Sequence, residues 1–167
     1  MKQILSLILT ALLLTGLLGC DSSAIDPVSF YYCREPESFV YFKEDSVVCV
    51  EPRDLTGHQE DLRYMIGLYL AGPLDEGLVC PFPQNTRLLA AIQIGDTIRI
   101  DLSDTEETMS DIQFSLASGC LSLTCMHFAS CNEVIIVSGN RSANFNSENI
   151  VLFDAAPSSE AANGGTP

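Results

Sequence analysis

"DLRYMIGLYLAGPLDEGLVCPFPQNTRLLAAIQIGDTIRIDLS", residues 61–103, changes its apolar period once, and that change sets the fold. Leu62, Met65, Ile66, Tyr69 and Leu70 follow the i, i+3, i+4, i+7, i+8 stripe of a one-sided helix. Thr56 and Gln59 stand ahead of it at capping-box spacing, and Glu60 and Asp61 bring negative charge to its first turn. Gly72-Pro73 ends it. From Arg87 the period drops to two: "RLLAAIQI" and "TIRIDLS" flank Gly95-Asp96, a dipeptide suited to a tight hairpin. Ile92, Ile94, Ile98, Ile100 and Leu102 are expected to face the core, with Gln93, Arg99 and Asp101 outward. Between helix and hairpin lies a rigid corner. Asp75-Glu76-Gly77 turns in solvent, while Pro81 and Pro83 fix φ and withdraw donors, so "CPFP" runs extended outside any sheet. Leu78, Val79 and Phe82 are expected to plug inward.

Working outward, "VSFYYC" (28–33) and "SVVCVEP" (46–52) read as strands, with a short strand between them at "FVYF". A second helix is expected from about Ser110 to Phe128, opened by Ser110 and Gln113 at capping-box spacing. It is apolar on more than one side, as a central packing helix would be. "EVIIVSGN" gives a strand ending in a Gly-Asn turn, and "NIVLF" a short edge strand. The order strands, helix, hairpin, helix, strand implies one α+β domain over residues 28–153. Its architecture would be a mixed or antiparallel sheet of about four or five strands, with two helices packed on one face.

The ends of the chain are of another kind. Met1-Lys2-Gln3 and the apolar run Ile4 to Leu18 form an export signal, too short to span as a helix. It closes on Leu17-Leu18-Gly19-Cys20, a bacterial lipobox. Cleavage after residue 19 would leave Cys20 to carry the lipid, its thiol being the nucleophile for the thioether, and several acyl chains together anchor stably. Residues 20–27 are the tether and 154–167, "DAAPSSEAANGGTP", a disordered tail. The expected location is the outer face of the cytoplasmic membrane; Asp21 would favour retention there in a cell with two membranes.

The formal charge is −14 and becomes −15 once the signal, with Lys2 as its one charged residue, is removed. Nucleic acid is not an expected partner, since phosphate neutralisation needs clustered Lys and Arg. Six cysteines follow Cys20: Cys33, Cys49, Cys80, Cys120, Cys125 and Cys131. Most sit in apolar runs, as small buried hydrophobes do; export also permits disulfides, and six thiols can pair in fifteen ways. Cys33–Cys49 is favoured if their strands are neighbours.

No constellation for chemistry assembles. "CLSLTCMHFASC" holds Cys120, Cys125, His127 and Cys131. On a helix Cys125 points about 140° from Cys120, and His127 stands about 10 Å along the axis from it, too far for one zinc ion. His58, beside Gly57 at the mouth of the first helix, reads as an exposed capping residue. Asp75-Glu76 and Glu106-Glu107 read as solvated loop acids. The sequence contains no Gly-x-Ser-x-Gly elbow, phosphate loop or Gly-x-Gly-x-x-Gly. No catalytic residue, metal or cofactor is expected.

"RYMIGLYLAGP", "GLVCPFPQNTRLL", the hairpin ending "IRIDLS", the long second helix and "VIIVSGN", taken in order, resemble the sporulation and spore-germination (GerMN) domain. Leu70, Gly72, Pro73, Pro83, Thr86, Leu88, Leu89, Asp101, Leu102, Ser103 and Gly139 occupy matching positions, and "EPRD" also fits. "SGN" and the cysteines at 33, 49 and 80 depart from the pattern. The resemblance implies a small α+β module of exported or membrane-anchored proteins in spore-forming bacteria, similar to ring-building motifs with a helix–hairpin–helix–strand core. It implies no enzymatic activity and no cofactor.

The leading expectation is a lipid-tethered module that contacts an envelope protein, or copies of itself, through a sheet edge or helix face. A solute-binding lipoprotein is the alternative, though one domain of this size lacks the second lobe such binders close. A cell-wall hydrolase is a further alternative without a nucleophile, metal site or acid pair to serve it.

Overall fold

A computed structural model describes residues 26–34 and 47–149. The signal over 1–19, Cys20, most of the tether, "FVYF", and the chain from Ile150, with most of "NIVLF" and the tail, lie outside the described residues. The elements run β1 (Val28–Arg34), β2 (Val48–Arg53), α1 (Leu62–Ala71), β3 (Leu78–Val79), β4 (Leu88–Ile94), β5 (Thr97–Leu102), α2 (Asp111–Phe128), β6 (Glu133–Ser138) and β7 (Arg141–Asn146).

The fold is α+β, with its strands divided between two sheets where one was expected. The smaller has order β2-β1-β3 and the larger β4-β5-β6-β7. In the larger sheet β5 and β6 are parallel, from Thr97↔Glu133 to Leu102↔Ser138, and both other pairs are antiparallel. A parallel pair needs a crossover connection, and α2 supplies it. Buried Ile98, Ile100, Val134 and Ile136 meet Met65, Ile66 and Tyr69 of α1 and Phe114, Ala117 and Leu121 of α2 in one core. Phe30, Tyr32 and Tyr69 cluster within it, the two tyrosine rings stacked at 4.9 Å between centroids.

The ends of the helices follow from particular residues. Ser110 and Gln113 form the expected capping box of α2. At α1 the cap is Asp61, whose side chain accepts from Tyr64 N at 2.9 Å, and not Thr56. Asp54 captures Thr56 first, accepting both its N–H at 2.8 Å and its hydroxyl at 2.5 Å. Gly57, at φ +84°, then turns the chain away before a helix can start. Gly72 closes α1 at φ +102°, its N–H on Tyr69 O.

Three further expectations are corrected. Ile92 and Ile94 are 49% and 73% exposed instead of core-facing. Their partners across the hairpin are Arg99 and Thr97, so they share the outer face with them. Arg141–Asn146, assigned no element from the sequence, is a strand paired to β6. Leu78-Val79, expected only to plug inward, also pairs with Arg34 and Cys33 at the end of β1.

Because β3 reaches only those two residues, N–H groups farther back on β1 go to α2. Tyr31 N donates to Thr124 Oγ1 at 2.9 Å and Ser29 N to His127 Nδ1 at 3.2 Å. Thr124 Oγ1 in turn donates to Cys120 O at 3.0 Å. The helix thereby finishes a strand edge that no third full strand among the described residues covers.

Candidate functional site

The corner after α1 is held from β2. Glu51 and Arg53 alternate past Pro52 to the same side of the strand, and their side chains pair. Glu51 Oε2 accepts from Leu74 N at 2.9 Å and Asp75 N at 2.8 Å, while Arg53 Nη2 donates to Gly72 O at 2.8 Å. Both side chains are about nine-tenths buried, 10% exposed each. The Arg53 guanidinium also stands 5.6 Å over the Phe30 ring. Pro52 is tolerated because β2 is an edge strand of its sheet. Sequence reading matched "EPRD" to the family pattern without finding this clamp; two opposite charges at i, i+2 in a strand were the available signal.

Beside the clamp lies an open cleft of about 320 Å³, lined among others by Pro73, Leu74, Asp75, Val79, Cys80 and Phe82. Its size sits at the bottom of the small-molecule range. Asp75 and Glu76 edge it, but Asp75 Oδ1 is committed to Gly77 N at 2.8 Å. The pair acts as a turn, with Leu78 N on Asp75 O at 3.1 Å.

A second junction ties the end of β5 to the β6–β7 hairpin. Buried Ser138 Oγ donates to Ser103 O at 2.9 Å, accepts from Thr105 N at 3.1 Å and meets Thr105 Oγ1 at 2.9 Å. Arg141 reaches Thr105 Oγ1 at 2.7 Å and Met109 O at 2.9 Å, with its guanidinium 4.7 Å over Phe114. Ser103 also knits β4 to β5, its Oγ accepting from Arg87 N at 3.0 Å. Glu106, paired in sequence with Glu107, accepts from Asn140 N at 3.2 Å. The "IDLS" and "SGN" segments are thus a structural knot.

The outer face of the larger sheet is different in kind. Across its rows stand Ile92, Arg99, Ile135 and Asn144, then Ile94, Thr97, Glu133 and Asn146. Arg99 and Asp101 pair here at 3.0 Å, about half and a third exposed, which contributes little stability. β4 is the edge strand beside them. Natural edges are commonly shielded by charge or proline; "LLAAIQI" has neither, only a register shift between Leu88 and Ala90. Leu89, Ile92 and Ile94 are 60%, 49% and 73% exposed. These apolar side chains are grouped on an edge that no other strand among the described residues pairs with.

The residues weighed for chemistry are dispersed. His58 is exposed and stacks on Tyr64 with centroids 3.7 Å apart. His127 is exposed at the end of α2, occupied by Ser29 N. Cys125 is fully buried, and burial pushes its thiol up, as it does that of Cys131. Cys80 is pushed up to about 11, chiefly by burial. Among the described residues no three of His, Cys, Asp and Glu converge to hold a metal ion, and no helix is long and apolar enough to cross a membrane. Cys33–Cys49 does not form: Cys49 lies opposite Tyr32 and Cys33 opposite Val48, so the two side chains leave opposite faces of the sheet.

A family model described as Germane, sporulation and spore germination, matches residues 37–142, more than half of the chain. No curated protein matches. A protein of Clostridium perfringens, described as a candidate lipoprotein, is similar at 22% identity and a TM-score of 0.40, over 74% of this chain and 88% of that one. The tandem GerMN domains of the sporulation protein GerM from Bacillus subtilis are similar at 17% identity and a TM-score of 0.47. That match takes in 72% of this chain and 43% of the tandem, so the chain spans less than half of that protein.

Proposed function

Because the chain belongs to the Germane family of sporulation and spore germination proteins, we propose that it is a non-enzymatic interaction module serving one of those processes. A lipid on Cys20 holds it at the outer face of the cytoplasmic membrane. The observation that carries the reading is the β4 edge: uncharged, unpaired on one side among the described residues, and holding three large aliphatic side chains exposed. The occupant is an extended segment of another envelope protein, added to β4 as a further strand. Main-chain hydrogen bonds supply affinity in such strand addition, and alternate side chains supply specificity. The formal charge of −15 on the processed chain makes two copies repel, so the partner that fits is a basic one.

The test places a photo-crosslinking residue at Ile92 or Ile94 in the full chain, in sporulating cells, with Glu107 as the exposed control. The expected result is an adduct with a basic envelope protein at 92 and 94 and none at 107. Adducts only with the chain itself would replace the partner by self-association, and none at either position would remove β4 as the contact. In the same cells Cys20→Ala is expected to move the chain out of the membrane fraction; unchanged retention would refute the anchor.

A further inference from the structure

Helix α2 runs antiparallel along β1, and three contacts tie them in sequence. Ser29 N meets His127 Nδ1 at 3.2 Å, Tyr31 N meets Thr124 Oγ1 at 2.9 Å, and Cys33 Sγ meets Cys120 Sγ at 4.0 Å. Each step of two residues on the strand is about 6.6 Å, and each step of three or four on the helix about 4.5–6 Å. The two spacings therefore stay in register across all three contacts. The two hydrogen bonds hold the backbones in the position that brings the sulfurs together.

We infer that Cys33 and Cys120 close a disulfide in the exported chain, a covalent staple between β1 and α2. This rests on the export reading above, because the cytoplasm keeps thiols reduced. A disulfide needs its sulfurs about 2.05 Å apart, so they must approach by about 2 Å. Bond formation therefore requires the two side chains to turn toward each other.

No other described thiol competes as well. Cys49 leaves the opposite face of the sheet from Cys33. Cys125 points about 140° around the helix from Cys120, and Cys131 lies beyond the helix end. Cys80 is the nearest alternative, within electrostatic reach of Cys33 but on the cleft wall.

In the docked fold the two thiols share one hydrogen bond in which either sulfur can be the donor, so either can attack first. The co-reactant is a disulfide-bearing oxidant, either a thiol oxidase of the envelope or a small disulfide. With Cys33 attacking, its thiolate takes one sulfur of the oxidant and expels a thiolate, forming a mixed disulfide. Cys120, losing its proton, then attacks the Cys33 sulfur and expels the second thiolate. One S–S bond replaces two S–H bonds; two electrons and two protons leave on the oxidant, whose own S–S bond becomes two thiols. The pair is 6% and 1% exposed, so attack on the oxidant belongs to the stage before α2 has docked on β1, and the docking that aligns strand and helix brings the second thiol to the mixed disulfide.

The test treats cells making the full chain with N-ethylmaleimide before lysis, digests without reduction, and maps the peptides by mass spectrometry. The expected product is a Cys33–Cys120 linked peptide beside an N-terminus at Cys20. A mature N-terminus with both thiols labelled, or Cys33 joined to any other cysteine, overturns the staple and leaves export standing. A peptide beginning at Met1 with both thiols labelled removes export and staple together. Since 87 residues separate the pair, reduction of the oxidised chain should lower its melting temperature by on the order of 10 °C. The double variant Cys33→Ala, Cys120→Ala should melt at one temperature with or without reductant. If that variant does not fold, the peptide map of the parent chain still decides.

Discussion

Glu51→Ala is expected to destabilise the protein by about 3 kcal/mol, the lower end of what removing one partner of a buried ion pair costs. Three groups lose their partner at once. Arg53 is left as a cation only 10% exposed, and the N–H groups of Leu74 and Asp75 lose the carboxylate oxygen they share. The lower end applies because Leu74 and Asp75 sit at a solvent-facing turn where water can replace part of what is lost. Glu51→Gln should cost less than half as much, since an amide oxygen can still accept one of the two N–H groups. Arg53→Lys should be nearly as damaging as the alanine change, because an ammonium cannot pair with Glu51, donate to Gly72 O and stack over Phe30 together. Urea unfolding of the four chains measures this. A Glu51→Ala midpoint equal to the parent's would mean that the corner stands without its clamp.

That corner shows where sequence reading stops. Gly72, Pro73, Asp75-Glu76-Gly77, Pro81 and Pro83 act on backbone angles and donors within a few residues, so the turn was legible from local chemistry. The clamp was not, because Arg53 and Glu51 lie 19 to 24 residues back from the groups they hold and meet the corner only after β2 has docked. The hairpin failed for a different reason. Counting every second residue straight through Gly95-Asp96 places Ile92 and Ile94 with Ile98 and Ile100. A two-residue turn instead sets Ile94 opposite Thr97, so the side-chain parity reverses across it. The error hid the surface on which the proposed function depends. β7 went unread because "RSANFN" lacks the β-branched residues of a strand. It is a strand because the Gly139-Asn140 turn lays it on β6 and Phe145 comes up against Gly119 of α2. The long second helix, by contrast, carries its own capping box and was placed to within a residue.

Gly139→Val tests whether the second junction does more than turn the chain, and the expected cost is again about 3 kcal/mol. Gly139 has φ +59°, and a Cβ built there would lie 2.6 Å from Asp104 Oδ1 and 2.7 Å from its Cγ. The backbone conformation alone costs a residue with a Cβ about 1–2 kcal/mol. The remainder comes from what Asp104 must abandon in moving aside. Its Oδ1 accepts from Glu106 N at 2.9 Å, and Glu106 in turn accepts from Asn140 N at 3.2 Å on the same hairpin. Gly95 separates the two contributions: its φ is +58°, but a Cβ there would meet nothing within 4 Å. Gly95→Val should therefore cost only the conformational part, about 1–2 kcal/mol. Unfolding midpoints of the two variants that fall together would show that Asp104 yields freely. A larger loss at Gly139 makes the "IDLS" and "SGN" segments one mechanical unit, with the loop that enters α2 locked to the turn that leaves β6. The glycine at 139 would then be required by the contact with Asp104 as well as by the turn.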